Sequence, residues 1–154
     1  MSMASNNKIK RYLDTKILVY SIDLSKDNRQ KHRAALEILR PSQIEVICLS
    51  SQVIAEFYAV VTSSKSVANP LTTQETIMRI ERFLQMPNIE LLSMSDNIFK
   101  QWFELLKTHP VKGARVFDLM HLAIMISHGV TSIYTFNEDD FNWHPEIEVI
   151  VPSY

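Results

Sequence analysis

Val116-Phe117-Asp118-Leu119-Met120-His121-Leu122-Ala123-Ile124-Met125-Ile126-Ser127-His128, then Gly129, then Ser132-Ile133-Tyr134-Thr135, is the stretch on which the fold turns. Leu119, Leu122, Ala123 and Ile126 recur at three- and four-residue steps, which gives a helix one continuous apolar face. Gly129 stands where a helix stops on a left-handed residue, a conformation glycine adopts without a Cβ clash. Ser132 to Thr135 then reads as a strand. The same alternation of short apolar runs with helically spaced segments extends back to the start of the chain. Lys10 to Leu13 reads as a strand ending at Asp14, and Ile17, Leu18 and Ile22 follow with helical spacing. Residues 29–39 predict a helix through Ala34, Ala35, Ile38 and Leu39, closed by Pro41. Glu45 to Leu49 is a compact strand, and Ser50-Ser51 can cap a helix whose stripe is Val53, Ile54, Phe57, Val60 and Val61. Past the Asn69-Pro70 break, Thr72 or Thr73 starts a helix carrying Ile77, Ile80, Phe83 and Leu84. Ile89 to Leu92 is a strand, and Ser95 precedes a helix with Ile98, Trp102, Leu105 and Leu106 that stops at His109-Pro110. Lys112 to Arg115 reads as a loop and Ile147 to Val151 as the last strand. Regular alternation of this kind predicts an α/β architecture with a mostly parallel central sheet.

The totals fit that reading. A length of 154 residues suits one domain, and 46% apolar residues are ample for its core. Two glycines and 6 prolines leave no room for collagen-like or linker-rich organisation. The polar residues 1–9 are expected to form a flexible segment ahead of a single domain over 10–154. They lack the apolar centre of a signal peptide, and no stretch is long enough to span a membrane, so the cytoplasm is the expected location. Cys48, the sole cysteine, lies in Val46-Ile47-Cys48-Leu49 and reads as a buried small hydrophobe. Sixteen Lys and Arg against seventeen Asp and Glu give a net charge of −1. Nucleic acid would therefore have to be drawn by local basic patches.

Four acids occupy costly places. Asp14 terminates a strand, where it either caps the following helix or faces a ligand beyond the strand's carboxyl end. Glu56 sits inside the apolar helix Val53 to Val61, where a carboxylate needs a salt bridge, a partly exposed edge or a metal. Asp118 opens a helix, where the dipole favours an anion whether or not it has another task. Glu138 and Asp139 read as a solvated turn, while Asp140, beside Phe141, is the acid expected to be fixed by packing. In a parallel sheet the strand ends and the following helix starts share one edge, so these four are expected to converge. Converged carboxylates repel one another, and a hard divalent cation relieves that repulsion. An oxygen-only set suits Mg²⁺ or Mn²⁺ and the phosphoryl chemistry such ions support. His32, His109, His121, His128 and His144 show no zinc-like spacing. His121, three residues after Asp118, is open to a supporting contact with the acids, although a packed or exposed side chain is the favoured reading.

Taken together, these segments resemble the PIN-domain ribonucleases, a family that includes the VapC toxins of toxin–antitoxin pairs. Leu13-Asp14-Thr15 resembles the opening motif, and Ser50-Ser51-Gln52-Val53-Ile54-Ala55-Glu56 the second. Phe117-Asp118-Leu119-Met120-His121-Leu122-Ala123 resembles the third, and Thr135-Phe136-Asn137 through Asp140-Phe141 the last. The likeness runs from Tyr12 to Pro152. It implies a three-layer α/β/α PIN-like domain in which Asp14, Glu56 and Asp118 bind Mg²⁺, with Mn²⁺ able to substitute. It also implies that Asp140 completes the catalytic acids, with Ser51, Thr135 and Asn137 in support. The reaction implied is hydrolysis of RNA phosphodiesters by metal-activated water, with inversion and no covalent intermediate. Many relatives carry an aspartate where Asn137 stands, so the number of ions is left open and Asp140 is the acid expected to compensate.

Lys112 and Arg115, with Lys8, Lys10 and Arg11, are the expected guides for RNA, while Tyr58 and Trp143 are expected either to stack on bases or to pack. The resemblance further implies a homodimer and a small antitoxin, and Met78, Phe83, Trp102 and Phe103 look more apolar than one core requires. A PIN-like binding or scaffold module with a weak nuclease centre is the alternative that Asn137 keeps open. An aspartyl-phosphate phosphotransferase is disfavoured because Lys16, not an acid, stands two residues after Asp14.

Overall fold

The computed structural model describes residues 7–154, so most of the expected N-terminal segment lies outside the described residues. Five strands, β1 (Ile9–Leu13), β2 (Glu45–Ser50), β3 (Ile89–Leu92), β4 (Ser132–Tyr134) and β5 (Glu148–Ile150), form one sheet in the order β3-β2-β1-β4-β5. Every pairing is parallel, with Tyr12 opposite Cys48 on one side and opposite Ile133 on the other. The first strand starts at Ile9, one residue before the expected domain start, because its N–H donates to Ile44 O at 2.8 Å. Six helices connect the strands: α1 (Thr15–Ile22), α2 (Arg29–Leu39), α3 (Ser51–Val61), α4 (Thr73–Gln85), α5 (Asp96–Thr108) and α6 (Val116–Ser127).

The strand order explains the layering. Right-handed crossovers from β1 to β2 to β3 carry the connecting helices to one face of the sheet. The return from β3 to β4 runs the other way and carries α5 and α6 to the opposite face. With both faces covered, the central strands become continuously apolar: Ile47, Cys48 and Leu49 on β2 and Tyr12 and Leu13 on β1 are all buried. Burial at Cys48 pushes its thiol up to about 12, so the cysteine behaves as the small hydrophobe its neighbours suggest. The helix ends follow local chemistry. Thr72 and Glu75 form a reciprocal capping box at the start of α4, and the Ser50 hydroxyl accepts from Val53 N–H at the start of α3. Gly129 has φ +67°, the left-handed residue expected after α6.

Two local differences have packing causes. Lys112 to Arg115 is not plain loop, since Gly113–Arg115 makes a 3-10 turn leading into α6. Of the four apolar residues that looked surplus, Phe83 belongs to the core, against Phe57 at 5.5 Å between ring centroids. Trp102 is half-buried, with its indole N–H on Val116 O at 3.2 Å, while Met78 and Phe103 are exposed.

Candidate active site

The strand order reverses at β1: the chain lays β2 and β3 on one side of it and β4 and β5 on the other. A crevice opens at such a switch point beyond the carboxyl ends of the strands, because the flanking helices leave in opposite directions. Asp14 follows β1 directly and lies in that crevice. Its N–H donates to Tyr134 O at 3.0 Å, and its Oδ2 accepts from the buried Thr135 hydroxyl at 2.6 Å. Asp14 holds the N-cap position of α1, but its carboxylate makes no side-chain capping bond there. Thr135 in turn accepts from Asn137 N–H at 3.0 Å, so the segment after β4 is fastened to the same point. Burial raises the Asp14 carboxyl above its ordinary range, although the bond from Thr135 opposes the shift.

Asp118 lies in the first turn of α6 and has no side-chain hydrogen bond among the described residues. Burial, then the charges of Asp140 and Asp14, raise its pKa to about 6. Asp140 ends the 3-10 turn Glu138–Asp140; its N–H donates to Asn137 O at 3.2 Å, and its carbonyl accepts from Trp143 Nε1 at 3.0 Å. Fully buried Phe141 anchors it, whereas Glu138 and Asp139 are exposed, as the sequence implies.

Glu56 is surrounded by donors. Its carboxylate accepts from His121 Nε2 at 2.8 Å, Gln52 Nε2 at 3.0 Å and Thr15 Oγ1 at 3.2 Å. Burial acts to raise this carboxyl, but those three donors outweigh it and hold the pKa below the usual value. His121 is only 2% exposed, and its other nitrogen, Nδ1, lies 2.7 Å from the Tyr12 hydroxyl, which is 2.7 Å from the Ser50 hydroxyl. An ionised carboxylate only accepts, so Nε2 carries the proton that faces Glu56, and in the neutral ring Nδ1 accepts from Tyr12. Burial raises the Tyr12 phenol far above its ordinary range, so its O–H stays available to donate. Ser50 can then donate to Tyr12, which completes a buried relay from β2 through β1 and α6 to Glu56.

This relay corrects the sequence reading of His121, which is neither a passive packed residue nor an exposed one. The signal was its spacing: residues three apart on a helix share a face, and Asp118 precedes His121 by three. Tyr12 and Ser50 carried no comparable signal. The structure also separates the two serines, since Ser50 belongs to the relay while Ser51 is exposed beside an apolar groove with Ile54, Tyr58, Ile80, Leu84 and Leu91. Trp143 is stacked on His109 at 3.7 Å and 5°, so its ring face is taken. Lys112 and Arg115 are exposed next to the start of α6. Lys8, Lys10 and Arg11 are not near the crevice. They lie at the strand starts, where Lys8 donates to Ser42 O, Lys10 pairs with Glu90 at 3.0 Å and Arg11 pairs with Glu45 at 2.6 Å and Glu148 at 3.2 Å.

Among the described residues no three Asp, Glu, His or Cys side chains form a ready-made metal cage. The donor chemistry nevertheless fits a hard dication at an open site. Asp118 is held above its ordinary range by burial, Asp140 and Asp14, and Asp14 by burial and the charge of Glu56, a state that a nearby positive charge relieves. Mg²⁺ keeps several waters and commonly needs only one or two carboxylates from protein. Glu56, already held by three donors, is better placed to bind such waters than to enclose an ion.

The solved structures similar to this one include VapBC2 from Rickettsia felis bound to a DNA fragment of its promoter, with 21% identity and a TM-score of 0.60 over 92% of this chain and 98% of that one. Another is VapC20 of Mycobacterium tuberculosis, a toxin that cleaves the sarcin–ricin loop, with 16% identity and a TM-score of 0.59 over 86% and 93% of the two chains. A toxin–antitoxin complex from Klebsiella pneumoniae gives 22% identity and a TM-score of 0.58 over 93% and 98%. No curated protein sequence matches the chain. These likenesses establish the shared fold, and a family model described as the PIN domain matches residues 11–143, a span that contains Asp14, Glu56, Asp118 and Asp140. On that match, the chain belongs to the PIN-domain family.

Proposed function

We propose that the protein is a metal-dependent ribonuclease and the toxin of a toxin–antitoxin pair. The observation that carries this reading is Asp118, an otherwise unbonded carboxyl raised to about 6 by burial, Asp140 and Asp14 at the switch point of the sheet. Asp14 and Asp118 would hold Mg²⁺, or Mn²⁺ in its place, with Glu56 and Asp140 completing the acidic set. When bound, the ion supplies Lewis acidity for attack of water on phosphorus and neutralises charge on the phosphate oxygens. The chain does the rest. Thr135 fixes the direction of Asp14 by its 2.6 Å bond and holds the Asn137 backbone. His121, Gln52 and Thr15 keep Glu56 ionised and aimed at the crevice, where it can orient a water. Asn137 offers a neutral oxygen at the place where relatives carry an acid. Lys112 and Arg115 bring RNA towards a cleft that would otherwise repel it. Ser51 takes no part in this scheme.

Membership of the PIN family and the likeness to VapC and other toxin–antitoxin structures support both the reaction and an antitoxin partner. No helix among the described residues is long and apolar enough to cross a membrane. A homodimer acting in the cytoplasm completes the proposal. The second reading, a binding or scaffold module with a silent centre, draws on Asn137 and on the lack of a closed cage among the described residues. Incubating the protein with structured and single-stranded RNAs in Mn²⁺ or Mg²⁺ decides between the two. A ribonuclease cleaves in metal, stops in EDTA and is silenced by Asp14→Asn. A scaffold leaves every RNA intact and shows no Mn²⁺-dependent rise in melting temperature.

A further inference from the structure

Beside the acids lies a cluster that the reaction scheme leaves unused. Lys31 of α2 folds its ammonium over three aromatic rings, 5.1 Å from the centroid of Tyr20, 5.5 Å from Phe136 and 6.0 Å from Tyr154. The rings frame one another edge to face, Tyr20 with Phe136 at 5.3 Å and Phe136 with Tyr154 at 5.6 Å. The frame is fixed: His32 Nδ1 lies 2.8 Å from Tyr20 O and ties α2 to α1. Phe136 stands between Thr135, which donates to Asp14, and Asn137, whose N–H donates to Thr135, so the box adjoins the crevice. Lys31 has no carboxylate partner among the described residues, and its only polar side-chain contact there is the Tyr20 hydroxyl at 3.5 Å. A half-buried lysine without a counter-ion, resting on π faces at the rim of an acidic cleft, is a cation held ready for an anion.

We infer that Tyr20, Lys31, Phe136 and Tyr154 form a nucleotide subsite that seats single-stranded RNA next to the scissile phosphate, an inference that rests on the ribonuclease reading above. A nucleotide is the ligand that uses both halves of the cluster. Its base stacks on an aromatic face, and its phosphate draws the ammonium off the rings. Tyr154, 63% exposed, offers the open face, while half-buried Phe136 sets the distance to the acids. The subsite also supplies the positive charge that Lys8, Lys10 and Arg11, committed at the far edge of the sheet, do not bring to the crevice. From Tyr154 a groove runs on between α2 and the C-terminal residues past Gln30, Arg33 and Pro152, and Arg33 offers a second exposed cation for a neighbouring phosphate.

The test uses the full chain carrying Asp118→Asn, so that RNA persists, and a fluorescently labelled 20-nucleotide single-stranded RNA followed by anisotropy across a salt series. Lys31→Ala is expected to weaken binding about tenfold and to reduce the slope of log K against log salt by about 0.7, the value for one phosphate contact on a single strand. Lys31→Arg should restore the slope. Phe136→Leu should weaken binding about fivefold with the slope unchanged, because it removes a stacking face and no charge. If Lys31→Ala and Phe136→Leu bind RNA like their parent, the subsite is refuted while the ribonuclease reading stands. The same holds if Lys31→Ala weakens binding without changing the slope, since the lysine would then act only on the fold. A box that prefers an arginine-rich peptide to RNA belongs to a protein partner and also overturns the inference. Should the parent bind no RNA and the wild type cleave none, both readings fall together.

Discussion

Replacing Asp118 by asparagine is expected to stabilise the metal-free protein while ending its chemistry. The carboxyl titrates near 6 in the folded protein, against 3.8 for an ordinary aspartate, because burial, Asp140 and Asp14 all disfavour its charge. A folded-state pKa above the unfolded value means that the fold holds the proton more tightly. The resulting stabilisation is complete below about pH 4 and is lost as the pH rises through about 6. Two units correspond to about 3 kcal/mol if fully expressed, and solvent screening at this half-buried position reduces that to about 1–2 kcal/mol. Asparagine keeps the shape and removes the charge. In EDTA at pH 7.5 the variant should therefore be more stable by about 1–2 kcal/mol, or roughly 3–6 °C in melting temperature for a chain of this size. At pH 4 the gap should nearly close. Mn²⁺ at a hundred times its Kd should then raise the wild type by about 2.7 kcal/mol and reverse the order, placing it about 1–2 kcal/mol above the variant. Urea unfolding at the two pH values, with and without metal, measures each quantity. A variant less stable than wild type at pH 7.5, or a difference that ignores pH, would show that Asp118 does not sit in a repulsive carboxylate field.

Four further substitutions have expected outcomes. His121→Ala removes one of three donors to Glu56 and one of the two partners of the Tyr12 hydroxyl and opens a buried cavity, and should cost about 2–4 kcal/mol in urea unfolding; Tyr12→Phe, which removes only the hydroxyl, should cost about 1–2 kcal/mol. Thr135→Val keeps the volume but deletes the 2.6 Å bond to Asp14, so RNA cleavage should fall on the order of tenfold or more, visible as a drop in kcat with little change in KM. Gly129→Ala places a Cβ at φ +67°, where no neighbouring atom lies within 4 Å, so backbone strain alone should lower stability by about 1 kcal/mol in thermal unfolding.

The order and kind of elements were legible in the sequence because both are local. The three-and-four spacing of Leu119, Leu122, Ala123 and Ile126 requires a helix wherever it occurs, and the buried run at Ile47 to Leu49 requires a strand covered on both faces. Gly129 marks its own conformation. The edge of the sheet at which Asp14 and the segment of Asp140 stand also followed from topology, since parallel strands deliver their carboxyl ends to one edge. Part of what was misread was also local: Lys10 and Arg11 lie on β1, four and three residues before Asp14. At about 3.3 Å per residue that separation already puts their backbone roughly 10–13 Å from the crevice.

What tertiary structure alone decided is the partner of each polar side chain. Nothing in the sequence distinguishes Ser50 from Ser51, yet one closes a buried relay and the other faces an apolar groove, because adjacent residues leave the backbone in different directions. His121 meets Glu56 across 65 residues of sequence, Thr135 meets Asp14 across 121, and Lys31 finds Phe136 and Tyr154 near the far end of the chain. Hydrophobic periodicity reports which face of an element is buried. A hydrogen bond or a cation on an aromatic ring depends on sub-ångström placement of groups from different elements, and that placement exists only once the sheet has assembled.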